Sequence, residues 1–292
     1  MSNTLRTVYG AIEAGGAKFV CGVGTGPEDL QSVRIPTTSP DETVAAAVAW
    51  LRQYEVRAVG IGSFGPVDLD HESATYGHIT RTPKTGWRNF DLAGAVGRAL
   101  GVRVGFNTDV NAAAIAESRW GAGRGVADFL YVTVGSGIGG GAFVSGRLLH
   151  GAAHPEMGHI RIPHDWVRDP YAGACPFHGD CLEGLASGPA IEGRWHCRAA
   201  DLPDDHPAWA LEAHYLAHGL ANFACTLSPA RILLGGGVMR RQHLYHTIRR
   251  NLPGILREYV AVTDVGPPGL GDRAGVLGAL ALAEQAMAER AS

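Results

Sequence analysis

Between His154 and Glu183 the chain carries Cys175, His178 and Cys181, with two residues between each and the next and Gly179 available for a turn. Zinc takes four nitrogen or sulfur ligands in a tetrahedron, and a short knuckle plus one more distant ligand is a common way to supply them. The alternative is ordinary buried cysteines and surface histidines, which the regular Cys/His/Cys spacing argues against. His150, His154, His159 and His164 lie upstream, and His159 is taken as the fourth ligand. Four protein ligands leave no open position for water, so this metal would be structural.

The chemistry must then come from other residues. Asp109 sits in Phe106-Asn107-Thr108-Asp109-Val110-Asn111, after an apolar strand and before a helix expected over Ala112–Trp120. It could simply cap that helix, but Asn111 can do so. That leaves Asp109 at a strand's C-terminal end, where α/β proteins present groups to ligands. Phosphoryl transfer to an alcohol needs a base in such a position to take the hydroxyl proton. Glu156 and Glu183 bracket the Cys/His stretch and could accept hydrogen bonds from a sugar, or could be solvated carboxylates. Glycine clusters at Gly15-Gly16, Gly135–Gly141 and Gly235–Gly237 suggest backbone N–H groups turned toward phosphate oxygens. The second leads into a strand rather than a helix, which breaks the dinucleotide pattern, and no GxxxxGK[ST] loop is present. The set reads as an ATP site of another kind.

These groups need elements to hold them. Thr7–Glu13 and Phe19–Val23 read as strands joined by Ala14-Gly15-Gly16-Ala17-Lys18, and Leu30–Ile35 as a third. Ser39, Pro40 and Glu42 open a helix to about Tyr54 with a capping box. Ala58–Ile61 is a buried strand, Asp91 caps a helix stopped by Gly101, and Val102–Phe106 is a further strand. Phe129–Val134, the turn Gly135–Gly141 and a return strand at Ala142–Ser145 repeat the opening pattern, which suggests a duplicated α/β domain with a cleft. Then follow a helix over Trp209–Leu227, a strand at Arg231–Leu234, a helix through Arg249, and a closing helix over Ala274–Arg290. A hinge is expected near Thr108–Asn111, with a returning segment near Gly271–Ala274. Sugar binding would draw the two lobes together about it and keep the nucleotide from water.

Composition bounds the partners. A chain of 292 residues with net charge −3, 46% hydrophobic and 18% charged residues, and no basic run does not suit nucleic acid or a membrane surface. No signal peptide or membrane span is expected. Of five cysteines, Cys21, Cys197 and Cys225 are scattered in apolar contexts, which suits a reducing cytoplasm.

Taken together, Glu13-Ala-Gly-Gly-Ala-Lys18, Gly62-Ser-Phe-Gly-Pro-Val-Asp68, the Asp109 segment, Gly135–Gly141, Glu156-Met-Gly-His159, Cys175–Glu183 and Leu234–Met239 resemble the ROK family of sugar kinases, in the family's order and over nearly the whole chain. Glu13, the Cys-His-Cys knuckle, Tyr76–Thr80 and Thr82–Trp87 are similar to its bacterial fructokinase branch. The resemblance implies a two-lobed, actin-like (ribonuclease H-like) α/β ATPase fold with a mixed sheet in each lobe and a zinc-binding insertion. It implies a smaller lobe over 1–108, completed by 274–292, and a larger one over 109–273. It further implies a homodimer and Mg2+-ATP-dependent phosphorylation of a hexose, fructose first, with mannose, glucose or a broad range as alternatives. Carried over by residue, Asp109 is the base, and His159, Cys175, His178 and Cys181 hold zinc. Glu156, His159, Glu183 and Thr108 meet the sugar. The nucleotide is bordered by Gly15, Gly16, Ala17, Lys18, Thr133, Gly135, Ser136, Gly137, Pro189, Gly235, Gly236, Gly237, Val238 and Met239. Ala17 stands where the family usually has Thr, and Thr108 where glucose-preferring relatives usually have Asn. The family also holds repressors with an N-terminal helix-turn-helix, for which a first strand near Thr7 would leave no room. A non-catalytic, zinc-stabilised sugar sensor is the remaining reading, and Asp109 speaks against it.

Overall fold

The computed structural model describes residues 8–288; Thr7 and the last two residues of the expected helix Ala274–Arg290 lie outside them. The chain divides into two compact units. Among the described residues, the first holds those through Gly121, His150–His154 and those from Asp272 on. Its sheet contains β1 (Val8–Ala14), β2 (Lys18–Gly24), β3 (Gln31–Pro36), β4 (Val56–Ser63) and, after the short β5 (His78–Ile79) and β6 (Phe90–Asp91), β7 (Arg103–Thr108). The strand order is β3-β2-β1-β4-β7, with β1–β2 antiparallel and β1–β4 and β4–β7 parallel. Three helices of this unit are α1 (Pro40–Leu51), α2 (Leu92–Leu100) and α3 (Asp109–Trp120). Ser39 caps α1 by accepting from the Glu42 N–H at 3.4 Å, and Asp91 caps α2 through the Gly94 N–H at 2.8 Å. Gly101 ends α2 at φ +70°. The core gathers on Trp87, fully buried, with Phe19, Phe64 and Phe90 rings 5.4–5.6 Å away.

The second unit holds Ala122–Leu149 and Pro155–Gly271. It contains β8 (Phe129–Val134), β9 (Ile138–Val144), β10 (Arg147–Leu148), α4 (Leu182–Ala186), α5 (Gly188–Trp195), α6 (Ala208–Leu227), β11 (Arg231–Gly235), α7 (His243–Leu256) and β12 (Asp264–Gly266). Its sheet runs β10-β9-β8-β11-β12, again three strands joined by two antiparallel pairings and continued by two parallel ones. The first sheet's plan is therefore repeated. Leu130, Val132, Leu182, Leu185, Tyr215 and Leu216 belong to its core.

Several boundaries differ from expectation for definable reasons. The first unit does not end at Thr108. Helix α3 stays with it because it packs on α8 (Ala274–Ala288), where a β-carbon at Gly278 would overlap the Ala112 carbonyl. Side chains at Gly60 and Gly105 would likewise overlap backbone oxygens of Ala279 and Leu282, so α8 lies directly on β4 and β7. The chain accordingly passes into the second unit at Gly121/Ala122 rather than within Thr108–Asn111. The chain returns to the first unit at Gly271/Asp272. Helix α3 also begins three residues earlier than expected, since the cap is the Thr108 hydroxyl accepting from the Asn111 N–H at 3.2 Å, not Asn111. The return strand begins at Ile138, because Gly139–Gly141 pair with Thr133–Tyr131 instead of turning. Helix α1 stops at Leu51, short of Tyr54, and α7 runs past Arg249 to Leu256. In α7 a buried stripe of Leu244, Ile248, Leu252 and Leu256 continues the packing through Pro253. Among the described residues no helix is long and apolar enough to cross a membrane.

Candidate active site and metal centre

In the first unit the β1–β2 turn is held by three bonds: Gly15 N–H to the Lys18 carbonyl at 3.0 Å, Thr37 N–H to the Ala17 carbonyl at 3.1 Å, and the Thr37 hydroxyl to the Gly15 carbonyl at 2.8 Å. Asp109 is the first residue of α3, directly beyond β7, and half-buried. Its Oδ1 accepts from the Val110 N–H at 2.8 Å. The Asn107 side-chain oxygen accepts from the Thr108 N–H at 2.9 Å and from Asn111 Nδ2 at 2.8 Å, so this corner is fixed from within. Thr108 is buried, its hydroxyl engaged as the cap.

Glu13 joins Asp109 electrostatically. It lies on β1, packed where Gly275 of α8 has no side chain, and its Oε2 has no hydrogen-bond partner among the described residues. Burial first, then the Asp109 carboxylate, push the Glu13 carboxyl up to about 7, against the pull of Lys18 and Arg34. The folded state therefore binds one more proton than the unfolded chain from about pH 4.5 to pH 7, and stability falls as pH rises through that window. For a shift of this size the loss is about 3 kcal/mol. Urea unfolding of Glu13→Gln at pH 5 and pH 8, beside the parent protein, should show this part of the slope removed; an unchanged slope would mean Glu13 does not hold the proton.

In the second unit three segments meet. The Gly188 N–H at the start of α5 donates to the Gly135 carbonyl at 2.7 Å, and Gly135 N–H donates to Gly137 at 2.9 Å. A β-carbon on Gly135 would stand 3.9 Å from the Gly237 nitrogen. Gly135, Gly137, Gly188 and Gly237 thus come together, Ser136, Pro189 and Gly236 are their chain neighbours, and Thr133 and Gly235 are register partners on β8 and β11. Val238 and Met239 belong to the core, so of these two only backbone could meet a nucleotide. Glu183, on α4, accepts from the Ile138 N–H at 2.9 Å, against Gly137.

The Cys/His residues also converge. The ligand atoms of His159, Cys175, His178 and Cys181 all lie within 4.8 Å of one another. His159 Nδ1 is 3.6 Å from Cys175 Sγ and 3.5 Å from Cys181 Sγ, and His178 Nδ1 is 3.7 Å from Cys175 Sγ. Zinc bonds of about 2.3 Å to sulfur and about 2.0 Å to nitrogen give nitrogen–sulfur tetrahedral edges of about 3.5 Å, close to these three nitrogen–sulfur distances. Both cysteines are free thiols, and burial first pushes Cys181 up to about 11, so a cation is what would make it a thiolate. His164 is outside the cluster. Its Nδ1 faces Asp180 at 3.3 Å and its Nε2 the Asp169 carbonyl at 3.0 Å. His154 lies with the first unit, 3.4 Å from Asn111 Nδ2.

The ROK family sequence model matches residues 9–286. The chain belongs to the ROK family. A Bacillus subtilis (strain 168) protein is 48% identical over 98% of this chain and 98% of its own. The fructokinase of Zymomonas mobilis is 42% identical over 95% of this chain and 97% of its own. The structure of a ROK family glucokinase from Streptomyces griseus, in complex with glucose and AMPPNP, superposes with a TM-score of 0.79 at 27% identity, covering 96% of this chain and 99% of that one. The paired mixed sheets are thus the ROK kinase fold, of the actin-like ATPase class.

Within this ROK chain, Glu156 precedes the turn Met157–His159, which lies against β9 because Gly158 has no side chain to meet the Ile138 carbonyl. Its carboxyl is raised, by partial burial and then by the Glu183 carboxylate. Sequence reasoning missed Thr37 and Asn107. Thr37 bonds a loop 22 residues away, and the only local signal was a Thr-Thr-Ser-Pro run that reads as a helix start. Asn107 looks like any polar strand end until its amide is seen bracing Thr108 and Asn111.

Proposed function

We propose that this chain is an ATP-dependent hexose kinase whose preferred substrate is D-fructose, phosphorylated on its 6-hydroxyl. The observation that carries the reaction type is Asp109: a half-buried carboxylate at the end of β7, in the same unit as a turn whose carbonyls are tied back. Asp109 takes the hydroxyl proton as the phosphoryl group arrives. On family resemblance, the nucleotide-contacting residues are Gly15, Gly16, Ala17 and Lys18 of the first unit and Thr133, Gly135–Gly137, Pro189, Gly235–Gly237, Val238 and Met239 of the second. Glu156, His159, Glu183 and Thr108 orient the sugar. Mg2+ arrives with ATP, and the Glu13 oxygen without a partner, in the field of Asp109 and Asp272, is of the hard donor type it prefers. When bound it offsets charge on the phosphates. Zinc at His159, Cys175, His178 and Cys181 is structural. A homodimer in the cytoplasm completes the reading, on family resemblance.

Fructose is favoured because relatives named fructokinase, from Zymomonas mobilis and Lactococcus lactis subsp. cremoris, are 42% and 41% identical, whereas a Streptomyces coelicolor glucokinase is 29% identical. A kinase for mannose or glucose, or one of broad range, is the second reading. Coupled ADP release across fructose, mannose and glucose should give the highest kcat/KM with fructose. ADP release with glucose at equal efficiency would favour the broad-range kinase, and none with any hexose would leave the sensor.

A further inference from the structure

In this chain the β1–β2 turn lacks the hydroxyl that Thr would offer at position 17, so any hold on phosphate rests on backbone N–H groups. Such groups bind an anion only if their peptides are oriented with the carbonyls turned away. A trans peptide is planar, and its C=O and N–H point to opposite sides. Fixing a carbonyl therefore fixes the next residue's N–H.

Thr37, the residue after β3, fixes two of them. Its hydroxyl donates to the Gly15 carbonyl at 2.8 Å, which directs the Gly16 N–H the opposite way. Its own N–H donates to the Ala17 carbonyl at 3.1 Å, which does the same for the Lys18 N–H. Gly15 N–H is meanwhile used by the Lys18 carbonyl at 3.0 Å. One threonine thus turns two carbonyls inward. A β-carbon on Gly16 would meet no atom of the described residues within 4 Å, so nothing among them requires glycine there. Open space beside an oriented N–H is what a bound phosphate needs.

We propose that Thr37 is a positioning residue for the nucleotide: its hydroxyl presets the Gly16 peptide toward the phosphates, a role that makes up for part of what Ala17 lacks. This rests on the reading of the Gly15–Lys18 turn as a phosphate site. Thr37→Val keeps the shape and the backbone bond but removes the hydroxyl, whereas Thr37→Ser keeps the hydroxyl.

The test is steady-state kinetics of the full chain with ATP and fructose varied separately, melting temperature measured alongside, and Gly16→Ala as the control on the site. Losing one neutral hydrogen bond should raise KM for ATP about fivefold in Thr37→Val. KM for fructose should stay the same, and Thr37→Ser should return to within about twofold of the parent. Gly16→Ala should raise KM for ATP at an unchanged melting temperature, because its methyl intrudes only on ligand. If Gly16→Ala raises KM for ATP but Thr37→Val does not, the Thr37 role is wrong and the phosphate site stands. No effect of Gly16→Ala removes the phosphate site and the proposal with it. Equal rises in both KM values that serine does not rescue, with a lower melting temperature, would make Thr37 a purely structural residue and overturn the proposal. Should Thr37→Val not fold, KM for ATP in Thr37→Ser decides: a value near the parent's supports the hydroxyl's role, and a fivefold rise overturns it.

Discussion

Asp109→Asn should lower kcat by about 10²–10⁴-fold, the usual worth of general-base catalysis, with KM for the hexose nearly unchanged. The amide keeps the side chain's shape and one acceptor but cannot take a proton from the sugar hydroxyl. The structure makes this substitution a clean one. Helix α3 is capped by Thr108, so the cap survives, and the Val110 N–H can still donate to an amide oxygen at position 109. What the helix loses is one negative charge in its first turn, about 0.5 kcal/mol at a half-exposed site. A second readout checks that the charge was present. Asp109 helps raise the Glu13 carboxyl, so in Asp109→Asn the Glu13 titration should move down from about 7. A folded variant with near-normal turnover would remove Asp109 as the base.

Cys175→Ser, or stripping the metal with a chelator, should cost the second unit a large part of its stability. Zinc bound to small peptides through such ligands is worth about 10–16 kcal/mol apparent; in a unit with its own apolar core the loss should be smaller but still larger than that of any surface substitution. Elemental analysis of freshly purified protein should give one zinc per chain. His164→Ala should keep it, since both nitrogens of that ring are committed to Asp180 and Asp169. Protein that is metal-free as purified yet folds and turns over normally would sink the zinc reading. A functional loss should accompany the structural one. Cys181 is followed directly by α4, which carries Glu183 to the Ile138 N–H, and then by α5, whose first N–H holds Gly135. Freeing Cys181 slackens that run of chain, so KM for both hexose and nucleotide should rise in the variant.

The sequence alone was enough for what depends on local chemistry. Ser39, Asp91 and Gly101 mark helix ends because capping is decided within four residues of chain. The Cys-x-x-His-x-x-Cys spacing marks a cluster that could hold a metal, because one short turn brings those three side chains together. Alternating and continuous apolar runs located most of the strands, and the recurrence of strand, glycine turn and strand already contained the two-sheet plan. The position of Asp109 directly beyond β7 was legible as well, since an apolar strand precedes it.

Tertiary structure decided what depends on residues far apart. The fourth member of the Cys/His cluster is His159 rather than His154 or His164, because Asp180 and Asp169 engage His164 and the chain carries His154 to the first unit. Helix α3 stays with the first unit because Gly278 lets α8 approach the backbone of Ala112, and no pattern around Asp109 could reveal a neighbour so distant in sequence. Thr37 acquires its place on the Gly15 turn only when β3 pairs with β2 in the register Lys18↔Pro36. Side-chain period tells which face of a strand is buried, but a hydrogen bond of 2.8 Å needs register, turn and neighbour to be right together, and only the folded chain supplies all three.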